Sequence, residues 1–165
     1  MNDKRQMLRH FLAALAYRTQ KTLNDVTDDF ASFDAGQRVR TPHELICHMR
    51  SVLGYARTFF VGGVYPRPSL QDFYEDVRAF HEMLADLDRL LANDNALNGI
   101  TEEQLLQGPF ADAMTHAGQL AMLRRLYGSS IPPENFIEAN INAGNVSSDQ
   151  PAPVSPDTEW PERSG

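Results

Sequence analysis

Between Ser69 and Asn93 the apolar residues Phe73, Val77, Phe80, Leu84, Leu87 and Leu91 recur at alternating steps of four and three. That spacing keeps all six on one side of an α-helix and cannot serve a strand, whose faces alternate every second residue. A helix with one long apolar seam must bury it against other helices, so this stripe points to helix-on-helix packing. Three more helical patterns accompany it. From Asp3 to about Val26, Leu8, Phe11, Leu12, Leu15, Thr19, Thr22 and Val26 share one face. Thr41-Pro42-His43-Glu44 reads as a helix start, with Thr41 at the N-cap, Pro42 at the first position and Glu44 closing a capping box. That second helix runs to about Phe60, where Gly62 and Gly63 stop it and Pro66 and Pro68 keep the connection extended. Ser69 is the expected cap of the third helix. A fourth runs to Tyr127 before Gly128, starting either near Thr101 or after Gly108-Pro109.

No β-pattern or internal repeat competes, so the expected class is all-α: a four-helix bundle over residues 1–128. The segment 129–165 is rich in Pro, Ser and Asn and reads as an irregular extension, packed on the bundle or partly disordered, with Trp160 placed either to pin the C-terminus or to lie in a disordered end. A chain of 165 residues can bury a core without disulfides or structural metal. Its single cysteine, Cys47, makes no internal bridge, and no run approaches the roughly 20 apolar residues of a membrane span. A cytoplasmic location with no membrane partner is the expectation. The formal charge of −7, without a basic stripe, argues against nucleic acid as a partner; Arg124 and Arg125 read as the solvated flank of a helix C-terminus.

Chemistry concentrates on two helices. At about 100° per residue, Leu45, Val52, Tyr55 and Phe59 fall within about 60° of His48, which sets His48 in the middle of an apolar face. His116 is similarly surrounded by Ala113, Leu120, Leu123 and Tyr127, with Asp112 one turn earlier and Gln119 on the edge of that face. Two imidazoles and a carboxylate converging from two helices are a standard way for a bundle to hold a divalent ion, and three protein ligands leave a position open for water. Satisfied core histidines, paired with Asp112, Tyr55 or Gln119, are the competing reading. Glu44, one turn before His48, could act as a base, although its capping role claims it. His43, His10 and His81 read as surface residues, and Cys47 points about 100° away from His48.

The segments TPHELICHM and ADAMTHAGQLAMLRRLYGS, above all His116-Ala117-Gly118-Gln119-Leu120, resemble the DinB/YfiT-like superfamily across roughly Met1 to Tyr127. The resemblance implies an up-down-down-up four-helix bundle, a homodimer, and a zinc or nickel ion held by three histidines. Some members use a thiol cofactor such as mycothiol or bacillithiol. It carries over His48 and His116 as metal ligands, but the family's first fourth-helix histidine is replaced here by Asp112, which can also ligate either ion. Two functions follow. One is a metal-dependent hydrolase or thiol-dependent transferase acting on a small molecule, with His48, Asp112 and His116 as ligands and Glu44, Tyr55, Gln119 and Tyr127 around substrate or ligands. The other is a non-catalytic dimeric bundle or small-ligand binder with a degraded site. Nothing in the residues themselves specifies the thiol cofactor.

Overall fold

Thr41 does what its position promises. Its hydroxyl accepts from Glu44 N at 3.2 Å, and Glu44 Oε2 accepts from Thr41 N at 2.8 Å, closing the capping box that starts a 20-residue helix. The computed structural model describes residues 2–157, and every regular element within them is helical. In chain order these are α1 (Asp3–Leu23), α2 (Asp28–Ala31), α3 (Pro42–Val61), α4 (Phe73–Ala92), α5 (Glu102–Leu105) and α6 (Ala111–Leu126). None is long and apolar enough to cross a membrane. Trp160 lies outside the described residues.

The helix ends differ from expectation where local backbone chemistry decides. α1 stops at Leu23, because Asn24 turns extended and Asp25 adopts a φ of 57° that no helix continues. The cap of α4 is Asp72, not Ser69: its carboxylate accepts from Tyr74 N and Glu75 N, while Ser69 lies in the extended connection. Both expected starts of the last helix exist. Thr101 and Gln104 form a second capping box, and then Gly108, with φ −91° and ψ −107°, and Pro109, which has no N–H to donate, force a π-helical turn over Leu106–Phe110 before α6 resumes.

α1 packs against α4 and α6, and α3 packs against the same two. Along α1 and α4 the contacts run in opposite senses, Arg9 meeting Asp88 at 2.8 Å and Gln20 meeting His81 at 3.2 Å. Along α1 and α6 they run in the same sense: Phe11 stacks on Phe110, and Arg124 donates to the carbonyls of Thr22 and Asn24. α3 and α4 also run together, since Arg50 meets Asp76 and Arg57 meets Asp86. A parallel pair needs a connection that returns the length of a helix. Residues 62–72, at about 3.3 Å each, can span the roughly 30 Å involved. They run back along α3, Tyr65 over Gly54 and the Pro68 carbonyl 3.6 Å from Cys47 Sγ.

The α4 seam is buried as its spacing requires, with Phe80, Leu84, Leu87 and Leu91 fully enclosed and Val77 half-buried. Three polar residues taken for surface groups are not. Arg124 is buried, capping carbonyls at the end of α1. His81 is buried, its Nδ1–H donating to the Val146 carbonyl at 2.8 Å. His43 is half-buried, with Nε2 2.8 Å from Asp76 Oδ2. His10 is exposed. Residues 129–157 form no helix and lie on the helices: Val146 enters the core, and the buried Glu134 carboxylate accepts from the Tyr17 hydroxyl at 3.0 Å. Burial, then that hydrogen bond to Glu134, pushes the Tyr17 phenol up to about 12.

Gly54 is the position where the returning connection touches α3, and a methyl there would overlap the Tyr65 ring. Gly54→Ala should therefore destabilise the protein by about 1–3 kcal/mol in urea unfolding, despite the better helix propensity of alanine. In a Tyr65→Ala background the same change should become neutral or stabilising, and a loss of equal size in both backgrounds would contradict the packing.

Candidate metal centre

α3 and α6 run in opposite senses and face each other near their midpoints, which brings His48 and His116 together. Their ring centroids are 4.6 Å apart at an interplanar angle of 77°. Asp112, one turn before His116 on α6, places Oδ1 3.3 Å from His116 Nε2. The three side chains each offer one ligand atom, and these atoms lie within 4.8 Å of one another, so the group could hold a metal ion. An ion about 2.1 Å from each of its ligands keeps them about 3.4 Å apart in a tetrahedron. The Asp112–His116 pair is already at that spacing, and the His48 ligand atom lies within 4.8 Å of both.

His116 is oriented from behind. Its Nδ1 lies 2.8 Å from Gln119 Oε1, three residues along the same helix. With the proton on Nδ1 donated to Gln119, the Nε2 lone pair faces the Asp112 carboxylate across 3.3 Å. Two acceptors facing each other repel unless a proton or a cation lies between them. Across the site, the surroundings of His48 favour its neutral, ligating form. Burial first, then the charges of Arg40 and His116, pull its pKa below the ordinary imidazole value, with Asp112 opposing.

The surroundings of the three ligands depart from the periodicity reading. The buried stripe of α3 is Leu45, Ile46, Met49, Leu53, Ala56 and Phe60, so His48 stands at its edge, half-buried, rather than mid-stripe. Asp112 is not an inward carboxylate: its side chain is 51% exposed, so burial cost gives it no need of a cation. Tyr55 is exposed and meets Phe59 edge-to-face; it lines an open groove with Val52, Pro109 and Asp112 rather than contacting the imidazoles. Tyr127 is far along α6, its hydroxyl 2.8 Å from Thr27 Oγ1 and its ring edge-on to Phe30 and Phe33, so it takes no part. Glu44 shares a cavity with His48 but has one carboxylate oxygen committed to the capping box.

That cavity, of about 190 Å³, is lined by Arg40, Glu44, Cys47, His48, Ser51, Arg67, Pro68 and Leu70. Cys47 thus borders the same space as His48, contrary to its wheel position, because the returning connection closes over both. Burial, followed by the charge of Asp76, raises the thiol pKa, which keeps Cys47 protonated and unreactive. Periodicity could have found Ser51, three residues after His48 on the same face. Arg40 and Arg67 come from non-helical segments, where no periodic signal exists.

In an NMR titration of metal-free protein His48 should titrate below about 6.5, and Arg40→Gln should move it upward by removing a positive neighbour. An unfolded chain then takes up a proton on this residue at higher pH than the folded one. The stability contribution of neutral His48 is complete above about pH 6.5 and is lost as pH falls toward the folded pKa, as it is for His81, whose pKa burial also lowers. Unfolding free energy that rises as pH falls through this range would contradict both. Compared with known proteins, the chain matches no family model, no curated protein and no solved structure.

Proposed function

We propose that the protein is a metal-dependent enzyme in which His48, Asp112 and His116 hold one divalent ion, zinc or nickel, and that its four long helices form the up-down-down-up bundle of the DinB-like superfamily. The observation that carries the metal is the 3.3 Å approach of His116 Nε2 to Asp112 Oδ1, two acceptors when Nδ1–H donates to Gln119, with the His48 ring beside them. A cation between them removes the repulsion and uses all three lone pairs. The bundle topology is supported by the contact directions, α1 with α6 and α3 with α4 each running together and the two pairs opposed. Cytoplasmic location and a homodimer belong to the same reading.

An ion held by three protein ligands keeps a coordination position for water or a thiol, and lowers the pKa of either to give a nucleophile at neutral pH. The residues around it have separable tasks. Gln119 holds His116 with its Nε2 toward the ion. Asp112, half exposed, lends negative charge that offsets the ion while admitting solvent. Hydrolysis and thiol-dependent transfer both fit this arrangement, and the residues lining the cavity do not choose between them.

One observation favours the alternative of a non-catalytic bundle or small-ligand binder. Rotating the Gln119 amide by half a turn would let its NH₂ donate to His116 Nδ1, and Nε2–H would then donate to Asp112, satisfying the imidazole without a cation. Metal content separates the two. Purified without a polyhistidine tag and loaded with zinc, the protein should hold about one ion per chain by elemental analysis, and His48→Gln with His116→Gln should abolish it while circular dichroism stays helical. Gln119→Ala should weaken zinc binding by about 10–100-fold. A wild-type protein that takes up neither zinc nor nickel removes the enzyme reading.

A further inference from the structure

Arg40 and Arg67 are far apart in sequence, one at the end of the loop before α3 and one in the connection after it, yet both line the cavity that contains His48. The chain carries a net charge of −7, so two cations at one small opening run against its overall balance. Neither has an ion-pair partner among the described residues, although Glu44 borders the same cavity. Both contribute to lowering the His48 pKa, which places their charge within electrostatic reach of the centre.

Both arginines are exposed, and hydrogen bonds or prolines constrain the backbone beside each. Arg40 precedes Thr41, whose N–H is tied to Glu44 in the capping box. Arg67 sits between Pro66 and Pro68, whose rings restrict the backbone, and Pro68 O is held by Cys47 Sγ. An anion arriving here meets guanidiniums whose backbone is already in place, which lowers the ordering cost of binding. Guanidinium suits a carboxylate because its planar fork donates two parallel hydrogen bonds.

A second space opens from the same centre. Val52, Tyr55, Gly108, Pro109 and Asp112 line a shallow groove of about 700 Å³, more apolar than polar, and Ser51 borders both this groove and the arginine cavity. The π-helical turn at Gly108-Pro109 forms one wall. A cationic cavity that His48 lines and an apolar groove that Asp112 lines thus meet at Ser51.

Resting on the metal reading above, we propose that the substrate is an amphipathic organic acid. Its carboxylate is received by Arg40 and Arg67, and its apolar part lies along Val52, Tyr55 and Pro109, so that the bond between them passes the ion.

Calorimetric titration of the full chain with 4-phenylbutyrate, 4-phenylbutanamide and acetate tests this on zinc-loaded and metal-free protein. The acid should bind at least about tenfold tighter than its neutral amide, through charge-assisted hydrogen bonds, and tighter than acetate. That preference should vanish in Arg40→Gln/Arg67→Gln, and Arg67→Lys should keep part of it. Equal binding of acid and amide, a preference that survives in the double variant, or no binding of either overturns the proposal. Acetate binding as tightly as phenylbutyrate overturns its apolar half. Zinc content of the same samples judges the metal centre separately. Zinc bound without an arginine-dependent preference removes the anion subsite alone, and the preference in protein that takes no zinc removes the metal centre alone.

Discussion

Asp76 is the only acidic residue in the helices with no solvent exposure at all, and the architecture is organised around it. Its Oδ1 accepts from Arg50 at 2.6 Å, and Oδ2 accepts from Gln71 N at 2.9 Å and lies 2.8 Å from His43 Nε2. One carboxylate therefore joins the first half of α3, the first turn of α4 and the end of the connection between them. A buried charge without such partners is costly, and with them it has a single satisfactory arrangement. The parallel placement of α3 and α4 depends on this junction, because a chain that turned back directly after Gly62 would give an antiparallel pair. By holding the returning connection against α3, the same junction brings Arg67 and Pro68 over Cys47 and His48. The cavity beside the candidate centre is a by-product of how the two helices are joined.

The candidate centre itself rests on the opposite kind of polar chemistry. Asp76 is buried and saturated, whereas Asp112 is half exposed, with His116 3.3 Å away and His48 close by. Saturation suits a structural role, and an exposed carboxylate beside two imidazoles could serve a ligand-binding one. Exposure also lets Asp112 adjust its side chain at little cost. Asp112 lines the groove and His48 lines the cavity, so solvent reaches both side chains without any helix moving. At the far side of α4, the residues after Gly128 complete the enclosure: Val146 fills a core position and covers His81, and Glu134 anchors on Tyr17.

Much of the helix content was legible because it is written in short-range chemistry. The Thr41–Glu44 capping box and the α4 seam depend on residues three or four apart, and both stand as read. The pairing of Asp112 and His116 is legible on the same grounds. Errors came where a residue's surroundings are supplied from a distance. His48 was assigned the middle of a buried face because Leu45, Val52 and Phe59 surround it on a wheel, but the buried face is set by where α4 and α6 lie, and it is centred nearer Met49 and Leu53. Tyr127 shares a face with His116 on paper, yet at three turns' distance it meets Phe30 and Thr27 instead. A first-turn position for His43, a place beside the α4 seam for His81 and a helix C-terminus for Arg124 all read as solvated, yet each is enclosed by a partner far along the chain: Asp76, Val146 and the carbonyls of Thr22 and Asn24.

What the sequence by itself determined is therefore the four long helices and most of their ends, though not the short α2 that falls where a loop is expected, and the presence of two histidines and an acid able to share a helix interface. Periodicity and capping act within one or two turns, and no other part of the chain can change them. Only the tertiary structure decided that the connection between α3 and α4 returns along α3, and that Arg40, Cys47 and Arg67 end up around His48. Those outcomes depend on a buried carboxylate finding three partners and on Gly54 leaving room for Tyr65, contacts between residues that no local pattern relates.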